Sequence, residues 1–362
     1  MIEPIPIHSE QRPNGSVVLT ANWLAPRGVC LSDQLLIVAD TARNEVHLLD
    51  RTATGWRLRN VLGNASQQRE QCTASSLHYP SGVWTNGQRL VIADAWNHRV
   101  LIWHELPTKD YQPADIVLGQ SDGFSAEPNR KGVSACPDAN TLYWPYGVWS
   151  NGGNDLFIAD TGNRRVLYFD RWPSQTGQAA DRVIGQTDFQ SKDYDPQQII
   201  WPYSVKTSTN GELLISDTQY YRVHYWKDWK RAFEQQADAL FGQPDSTTNG
   251  QNQFRLKPTS HTLNWCYDAV FHRGRVFIAD TGNSRIVGYE KPFETNMAAQ
   301  HLWGQLHFDD HGEAGLSLKR IEHTDDLLYW PFSISADQYE LAVADTGKSR
   351  IIIYPLDLSF PI

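Results

Sequence analysis

A short pattern that occurs six times along the chain constrains the fold more than any other feature of the sequence. Each copy has an apolar segment that ends in aspartate, then a short polar segment, and then a second apolar segment. Successive aspartates are 54 to 66 residues apart, at Asp40, Asp94, Asp160, Asp217, Asp280 and Asp345. Short apolar segments inside so long a period predict strands and argue against a helical solenoid.

Each repeat contains four predicted strands. A proline, or a cysteine at 266, precedes the aspartate by 14 or 15 residues, which is the length of two strands and a reverse turn. A third strand follows the aspartate, and a fourth ends at a glycine 23 to 25 residues after it. We therefore predict an all-β, six-bladed β-propeller that forms one domain over 1–362. The blades are expected at about 24–64, 78–120, 143–186, 200–243, 264–305 and 329–356.

The sixth repeat lacks its fourth strand, because only 17 residues follow Asp345. The segment Val17-Val18-Leu19-Thr20 precedes the first repeat and resembles the other fourth strands. We expect residues 16–20 to pair with the third strand of the last blade and close the ring, since an open ring would leave unpaired strand edges.

The segments AWNHRVLIW, DTGNRRVLYF, DTGNSRIVGY, DTGKSRIIIY and WPYGV resemble the repeats of the NHL propeller family, and the resemblance covers about residues 16–356. It implies the fold and not an activity, because propellers carry unrelated functions. We interpret the recurring residues of each repeat as residues that stabilise its turns. The aspartate would accept N–H groups across the hairpin turn, the glycine would supply a positive φ, and the arginine five residues after the aspartate would pair with an aspartate. Blade one has Glu45 at the arginine position and Arg43 before it, so its contact should differ.

Strand direction places two kinds of connection on one face of the predicted ring. These are the connections from a fourth strand to the next blade and the turns between second and third strands; we call this the top face and the opposite one the bottom face. The first kind varies most in length between blades, which is typical of a functional surface on a rigid scaffold. The longest, 121–143 and 306–329, are the predicted contact segments.

Aromatic residues cluster where the first strands begin, on the top face. We expect Trp144, Trp201, Trp265 and Trp330 to fill the core between blades. Around the pore mouth we predict contacts to a ligand or a partner. The predicted binding residues are Arg27, Tyr79, Tyr146, Tyr203, Tyr267, Asp268 and Phe332.

Two of these residues depart from the repeat. Arg27 interrupts the aromatic ring in blade one and could hold an anionic group. Asp268 stands where the other blades have glycine or serine. A ligand or metal contact and a local hydrogen bond to a neighbouring turn are both open for it.

No catalytic residue is assigned from the sequence. Six-bladed relatives that resemble this fold include an amidating lyase and lactonases that hold metal in or near the channel, so a metal-dependent lyase or hydrolase with a channel-bound ion is the alternative function. His78, His261 and His323 are candidate ligands, but their unequal distances from the strands disfavour convergence. Cys72 and Cys136 could share a metal or redox site, although two unpaired thiols are the simpler interpretation. Sequences of the type HExxH and the Walker loop GxxxxGK[ST] do not occur.

Charge and cysteine usage narrow the function classes. The net charge of -9 disfavours nucleic acid, including the RNA that some NHL proteins bind. The chain has no apolar stretch of membrane-spanning length, and MIEPIPIHSE does not resemble a secretory signal. Four widely spaced cysteines favour a reduced, cytoplasmic compartment. We therefore expect a scaffold that binds a protein or peptide partner or a small ligand.

Overall fold

Six antiparallel sheets form the blades of a β-propeller in the structure, a computed structural model that describes residues 6–63, 72–310 and 327–356. Blade one contains β3 (Pro26–Ser32), β4 (Leu35–Asp40), β5 (Glu45–Thr52) and β6 (Gly55–Gly63). Blade two contains β7 (Pro80–Thr85), β8 (Leu90–Asp94), β9 (Arg99–Trp103) and β10 (Ile116–Leu118). Blade three contains β11 (Pro145–Trp149), β12 (Leu156–Asp160), β13 (Arg165–Phe169) and β14 (Arg182–Ile184). Blades four and five contain β15 (Pro202–Thr207), β16 (Leu213–Asp217), β17 (Arg222–Trp226) and β18 (Ala239–Phe241), and β19 (Cys266–His272), β20 (Arg275–Asp280), β21 (Arg285–Glu290) and β22 (His301–Trp303). Blade six contains β23 (Pro331–Ala336), β24 (Glu340–Asp345) and β25 (Arg350–Pro355), with β1 (His8–Gln11) and β2 (Val17–Thr20).

The second strands are buried on both faces, because each sheet packs between two neighbouring blades. All residues of β4, β8, β12 and β16 are buried. A strand without a solvent-exposed face consists almost entirely of apolar residues, as the sequences LLIVAD of β4 and LFIAD of β12 show. The core therefore consists of layers between blades, and the described residues include no α-helix.

The amino-terminal strand closes the ring, as predicted. β2 pairs antiparallel with β25, from Val17 opposite Ile353 to Thr20 opposite Arg350. Leu19 is fully buried in the cluster between blades one and six. The structure adds a fifth strand that the sequence did not predict, since β1 pairs with the outer edge of β2.

Threonine hydroxyls connect five of the six blades to the next blade. In blade three, Thr161 Oγ1 donates to the carbonyl of Pro202, the first residue of blade four. Thr41, Thr218, Thr281 and Thr346 make the same contact, and that of Thr346 reaches Pro26 across the closure. Blade two has Ala95 at this position.

A buried aspartate–arginine pair holds the top connections in blades two to six, as blade three illustrates. Arg165 Nε donates to Asp160 Oδ2 at 2.8 Å, and both side chains are fully buried. Arg165 Nη2 donates to the carbonyls of Asp138 and Thr141, while Asp160 Oδ1 accepts the N–H of Tyr143. The predicted aspartate–arginine pairing is confirmed within each of these five blades. The N–H group that the aspartate accepts, however, belongs to the segment before the first strand and not to the hairpin turn. The other pairs are Asp94–Arg99, Asp217–Arg222, Asp280–Arg285 and Asp345–Arg350.

Blade one uses different contacts, as expected. Asp40 accepts the N–H groups of Leu24 and Ala25 without an arginine. Glu45 instead accepts from Arg43 Nε at 3.0 Å and lies 3.1 Å from His47 Nε2.

The glycine of the Asp-Thr-Gly segments in blades three, five and six does not have the predicted role. Gly162 is not among the residues with positive φ, whereas Arg164, two positions later, has a φ of 57°. A Cβ at Gly162 would lie 2.6 Å from the Tyr143 ring. Gly162 thus leaves room for the aromatic ring that lies against it, and the residue with left-handed backbone is Arg164.

Candidate functional site

Aromatic rings from successive blades meet at the top of the central channel. Tyr146 stacks on Tyr203 with ring centroids 4.6 Å apart, and Tyr203 meets Tyr267 edge-on at 4.5 Å. Tyr267 in turn lies 4.4 Å from Phe332. Tyr79 lies edge-on to Tyr146 at 6.3 Å on the other side. We call this set the throat ring; its members are Arg27, Tyr79, Tyr146, Tyr203, Tyr267 and Phe332.

Arg27 joins the two ends of the throat ring, whereas the sequence suggested that it interrupts the aromatic series. Its guanidinium carbon lies 4.3 Å from the centre of the Phe332 ring and 5.2 Å from that of Tyr79. Nη1 also donates to the Tyr79 hydroxyl. Cation–π contacts of this kind contribute about 0.5–2 kcal/mol. The contact of Arg27 with an anionic ligand group stays a prediction.

The throat ring closes the channel. The space beneath it is about 20 Å³, which is room for about one water. Burial raises the pKa of Tyr267 to about 12, and the nearby Arg27 only partly opposes this shift, so the phenol is neutral at physiological pH. A molecule that approaches from the top face therefore meets a floor of packed rings and no open pore.

Five tryptophans on the same face form what we call the outer belt: Trp96, Trp144, Trp201, Trp265 and Trp330. The expectation that the last four fill the core between blades is wrong. Trp265 and Trp330 are 38% and 45% exposed, and Trp144 and Trp201 are half-buried. Trp96 is 44% exposed and stacks on Tyr79 with centroids 4.6 Å apart, so belt and throat ring are in contact.

The backbone of several of these aromatic residues is strained. Tyr79, Trp144, Trp265 and Trp330 have φ values of 49° to 57°, a left-handed conformation that bulky residues rarely adopt. Side chains from the turn of the preceding blade hold three of them in place. Their N–H groups bond as Tyr79 to Asn44 Oδ1, Trp144 to His98 Nδ1 and Trp330 to Ser284 Oγ. Strain that its surroundings maintain is common at functional sites.

The contact between His98 and Trp144 makes one pH effect predictable. Trp144 N–H donates to His98 Nδ1 at 3.1 Å, so this nitrogen must be unprotonated. Burial, with a smaller contribution from His78, lowers the pKa of His98 to about 4. Between that value and the unfolded pKa of about 6.5, the unfolded chain binds a proton that the folded one does not. Acidification through this range therefore destabilises the fold.

We expect His98→Asn to reduce that acid sensitivity, because Asn44 makes the same contact in blade one without titrating. Between pH 7 and pH 4, the free energy of unfolding of the wild type should fall by about 3 kcal/mol more than that of the variant. Urea denaturation at the two pH values measures the difference, with the exposed His261→Asn as the matched control. Equal losses in the wild type and His98→Asn would refute the assignment.

Exposed apolar side chains are concentrated on the top face. Among the described residues, the large hydrophobic side chains that are exposed lie in top connections, with the single exception of Tyr339 in a bottom hairpin. Those of the top face are Leu24, Trp96, Phe124, Val133, Tyr194, Phe254, Leu256, Trp265, Leu306 and Trp330. Part of the predicted contact segment 306–329 lies outside the described residues; 121–143 carries Phe124 and Val133.

Asp268 is buried and makes the local hydrogen bonds that the sequence left open. Its Oδ2 accepts from Ser333 Oγ at 2.8 Å and from the N–H of Ile334 at 3.1 Å, both in blade six. The carboxylate thus satisfies an edge N–H of the neighbouring first strand. Lys206 Nζ lies 3.9 Å from Oδ1.

The candidate metal ligands do not come together in the described part of the chain. No group of three or more histidine, cysteine, aspartate or glutamate residues there could hold a metal ion. His78 is exposed beside Trp96, and His261 Nδ1 is hydrogen-bonded to the carbonyl of Asn296, between β21 and β22 of blade five. His323 lies outside the described residues. A metal-dependent activity stays a prediction.

The cysteines are free thiols. Cys72 is half-buried, and its Sγ lies 3.6 Å from the carbonyl of Ser125, whereas Cys136 is exposed. Within the described ranges, no helix has both the length and the apolar composition that crossing a bilayer requires.

Sequence reasoning missed a large cavity on the bottom face. It has a volume of about 790 Å³, and Lys206 lies at its inner end, where it also borders the small space under the throat ring. A signal was available in the sequence. Lys206 is the charged member of a first-strand position that holds Cys30, Trp84, Trp149, Val270 and Ser335 in the other blades.

No protein-family profile matches the chain, and no curated protein matches its sequence. Among solved structures, a protein from Bacteroides uniformis described as a candidate 6-phosphogluconolactonase is similar with a TM-score of 0.53 and 13% identity, over 98% of this chain and 88% of the other. Hydrazine synthase from Kuenenia stuttgartiensis has a TM-score of 0.52 at 11% identity, over 94% and 98%. An inactive Staphylococcus aureus virginiamycin B lyase with quinupristin is less similar, with a TM-score of 0.48 at 10% identity, over 98% and 100%. Identities this low concern the fold alone, and the chain is a six-bladed β-propeller.

Proposed function

We propose that this chain is an NHL-type propeller scaffold that binds a protein or peptide partner on its top face. The observation that carries the proposal is the concentration of exposed large apolar side chains on that face. Monomeric proteins rarely expose large apolar patches, and such patches are typical of protein–protein contact sites. Tryptophan is also among the residues that contribute most to binding energy.

A macromolecular partner fits the top face better than a small ligand. Small-molecule sites are concave and enclose most of their ligand. The throat ring leaves only about 20 Å³ beneath the pore mouth. The outer belt, in contrast, offers ring faces and edges on several blades, as the 6.1 Å contact between Trp144 and Trp201 shows. The cytoplasmic location stays part of the proposal and rests on the free thiols.

The throat ring supports the outer belt in this account. Tyr203 and Phe332 are buried, and Tyr79 stacks on the exposed Trp96 ring with ring centroids 4.6 Å apart. A rigid floor reduces the entropy lost when surface side chains are immobilised by a partner. The throat residues predicted to contact the ligand therefore act in part by holding the belt.

We expect the triple variant Trp96→Ser, Trp265→Ser, Trp330→Ser to recover at least about tenfold less partner than the wild type, because each removed ring is a candidate hot spot. Partner recovery is measured by affinity capture from the native lysate, followed by a binding titration with the purified partner. All three rings are exposed, so the fold should be retained.

The matched control is Tyr339→Ser, which removes an exposed aromatic ring from the bottom face. Its partner recovery should equal that of the wild type. A triple variant that recovers the partner normally, or a Tyr339→Ser variant that loses it, would contradict binding through the top face.

A further inference from the structure

The bottom face carries a cavity of a size that suits a small molecule. Its volume is about 790 Å³, within the range of about 300–1,000 Å³ that is usual for ligand sites. The hairpins between first and second strands of five blades line it, together with Trp149 of blade three. We call it the bottom funnel.

Lys206 is a buried charge at the inner end of the bottom funnel whose hydrogen-bonding capacity is unused. The residue is 9% exposed. Its Nζ lies 4.9 Å from the centre of the Trp149 ring and 3.9 Å from Asp268 Oδ1, which is beyond hydrogen-bond distance. Nζ makes no hydrogen bond to any residue of the described ranges, although an ammonium group has three donors.

Asp268 neutralises part of this charge but does not occupy the donors of Lys206. Its two oxygens already accept from Ser333, Ile334 and the N–H of Ala269. An acceptor group of a ligand in the funnel could therefore accept from these donors.

His272 provides an unused atom in the wall of the same cavity. Its Nδ1 lies 3.0 Å from the carbonyl oxygen of Asp337, which can only accept, so Nδ1 carries the proton in the neutral ring. Nε2 is then an acceptor, and it is buried without a hydrogen-bond partner. Burial lowers the pKa of His272, which favours this neutral form. Because Nε2 has almost no exposed surface, the group that a ligand in the funnel can reach is the ammonium of Lys206.

We propose that the bottom funnel binds a small hydroxylated monocarboxylate, with the carboxylate accepting from Lys206 Nζ. A single negative charge fits better than two, since Asp268 lies beside the ammonium and Asp33 and Asp337 line the cavity. The hydroxyl-bearing and amide side chains of Ser32, Thr207 and Asn210 in the lining suit a polar ligand body.

Three matched probes test this assignment by calorimetric titration of the full chain: D-glycerate, glycerol and glycerol 3-phosphate. They share a three-carbon, hydroxylated frame and carry one, no and two negative charges. D-glycerate should bind in the millimolar range that so small a ligand can reach. The other two should bind at least about tenfold more weakly, equivalent to 1.4 kcal/mol.

Lys206→Met should weaken D-glycerate binding at least about tenfold, because it keeps the apolar stem and removes the donors. Lys230→Met is the matched control, since Lys230 also lies over a tryptophan, 5.8 Å from the Trp229 ring, but is exposed and does not line the funnel. It should bind D-glycerate as the wild type does.

Acylation of lysines in the wild type, read by mass spectrometry, gives a second measurement that needs no variant. D-glycerate should protect Lys206 and leave Lys230 unprotected. The proposal is overturned if the wild type binds no D-glycerate, if Lys206→Met binds it equally well, or if Lys206 is acylated at the same rate with and without it. Equal or tighter binding of glycerol 3-phosphate would overturn the single-charge assignment.

Discussion

A chain that lacks residues 1–22 is expected to lose most of its stability and not merely a tail. The deletion removes β2, and with it the ladder from Val17 to Thr20 along β25. It also removes Leu19, which is fully buried between blades one and six. Losing one buried leucine costs about 2–5 kcal/mol. Since a whole domain is stable by only about 5–15 kcal/mol, the deleted chain should melt far below the full one or fail to fold.

Deletion of residues 1–12 is the matched control for this experiment. It removes β1, whose four residues are all exposed, and leaves β2 in place. We expect a much smaller change in melting temperature, measured by circular dichroism on the three chains. If both deletions melted alike, β2 would not close the ring in the way described.

The variant Arg285→Met is expected to lose about 3–5 kcal/mol of stability, because it leaves a buried carboxylate without its partner. Arg285 Nε donates to Asp280 Oδ2 at 2.6 Å, and both side chains are fully buried. Its other nitrogens donate to the carbonyls of Phe308, Thr259 and Thr262, on both top connections that flank blade five. Burial already raises the pKa of Asp280 in spite of the arginine.

Arg275→Met in the same blade provides the comparison. Arg275 Nη2 lies 2.9 Å from Glu290 Oε1, but the two side chains are 37% and 46% exposed. Exposed pairs of this kind contribute about 0–1 kcal/mol. Urea denaturation of both variants should therefore separate them clearly, and similar losses would show that Arg285 does not clamp the top connections.

The sequence predicted the blades well because their signals are local and repeated. A buried second strand must be apolar throughout, so LLIVAD and LFIAD marked the blades directly. The closing strand was recognised because the apolar sequence Val17-Val18-Leu19 resembles that of the other fourth strands. β1 was missed for the opposite reason: His8–Gln11 is exposed on every residue and leaves no hydrophobic pattern.

Backbone conformation was the part of the site that the sequence did not reveal. The glycine of Asp-Thr-Gly could equally provide a positive φ or room for a neighbour, and Gly162 provides room for the Tyr143 ring. Trp144 and Trp330 were expected in the core because tryptophan is large and apolar. Their positions depend on left-handed backbone held by His98 and Ser284 from preceding blades, contacts about 46 residues away in the chain that no local pattern encodes.

The position of Arg27 could be predicted, but not its partners. Its repeat position placed it at the pore mouth correctly, whereas its contact with Phe332 joins the first blade to the last. Likewise, the bottom funnel arises from hairpins of separate blades, and only the unusual charge of Lys206 indicated it. A site formed by residues of several blades can be located once the arrangement of the blades in the closed ring is known.

Hydrogen exchange of the chain, free and bound to its captured partner, tests the central claim most directly. Binding through the top face predicts slower exchange in the segments that carry Trp96, Trp265 and Trp330, and unchanged exchange in the bottom hairpins, including the one around Tyr339. Protection confined to the bottom hairpins, with the top connections unaffected, would contradict the account.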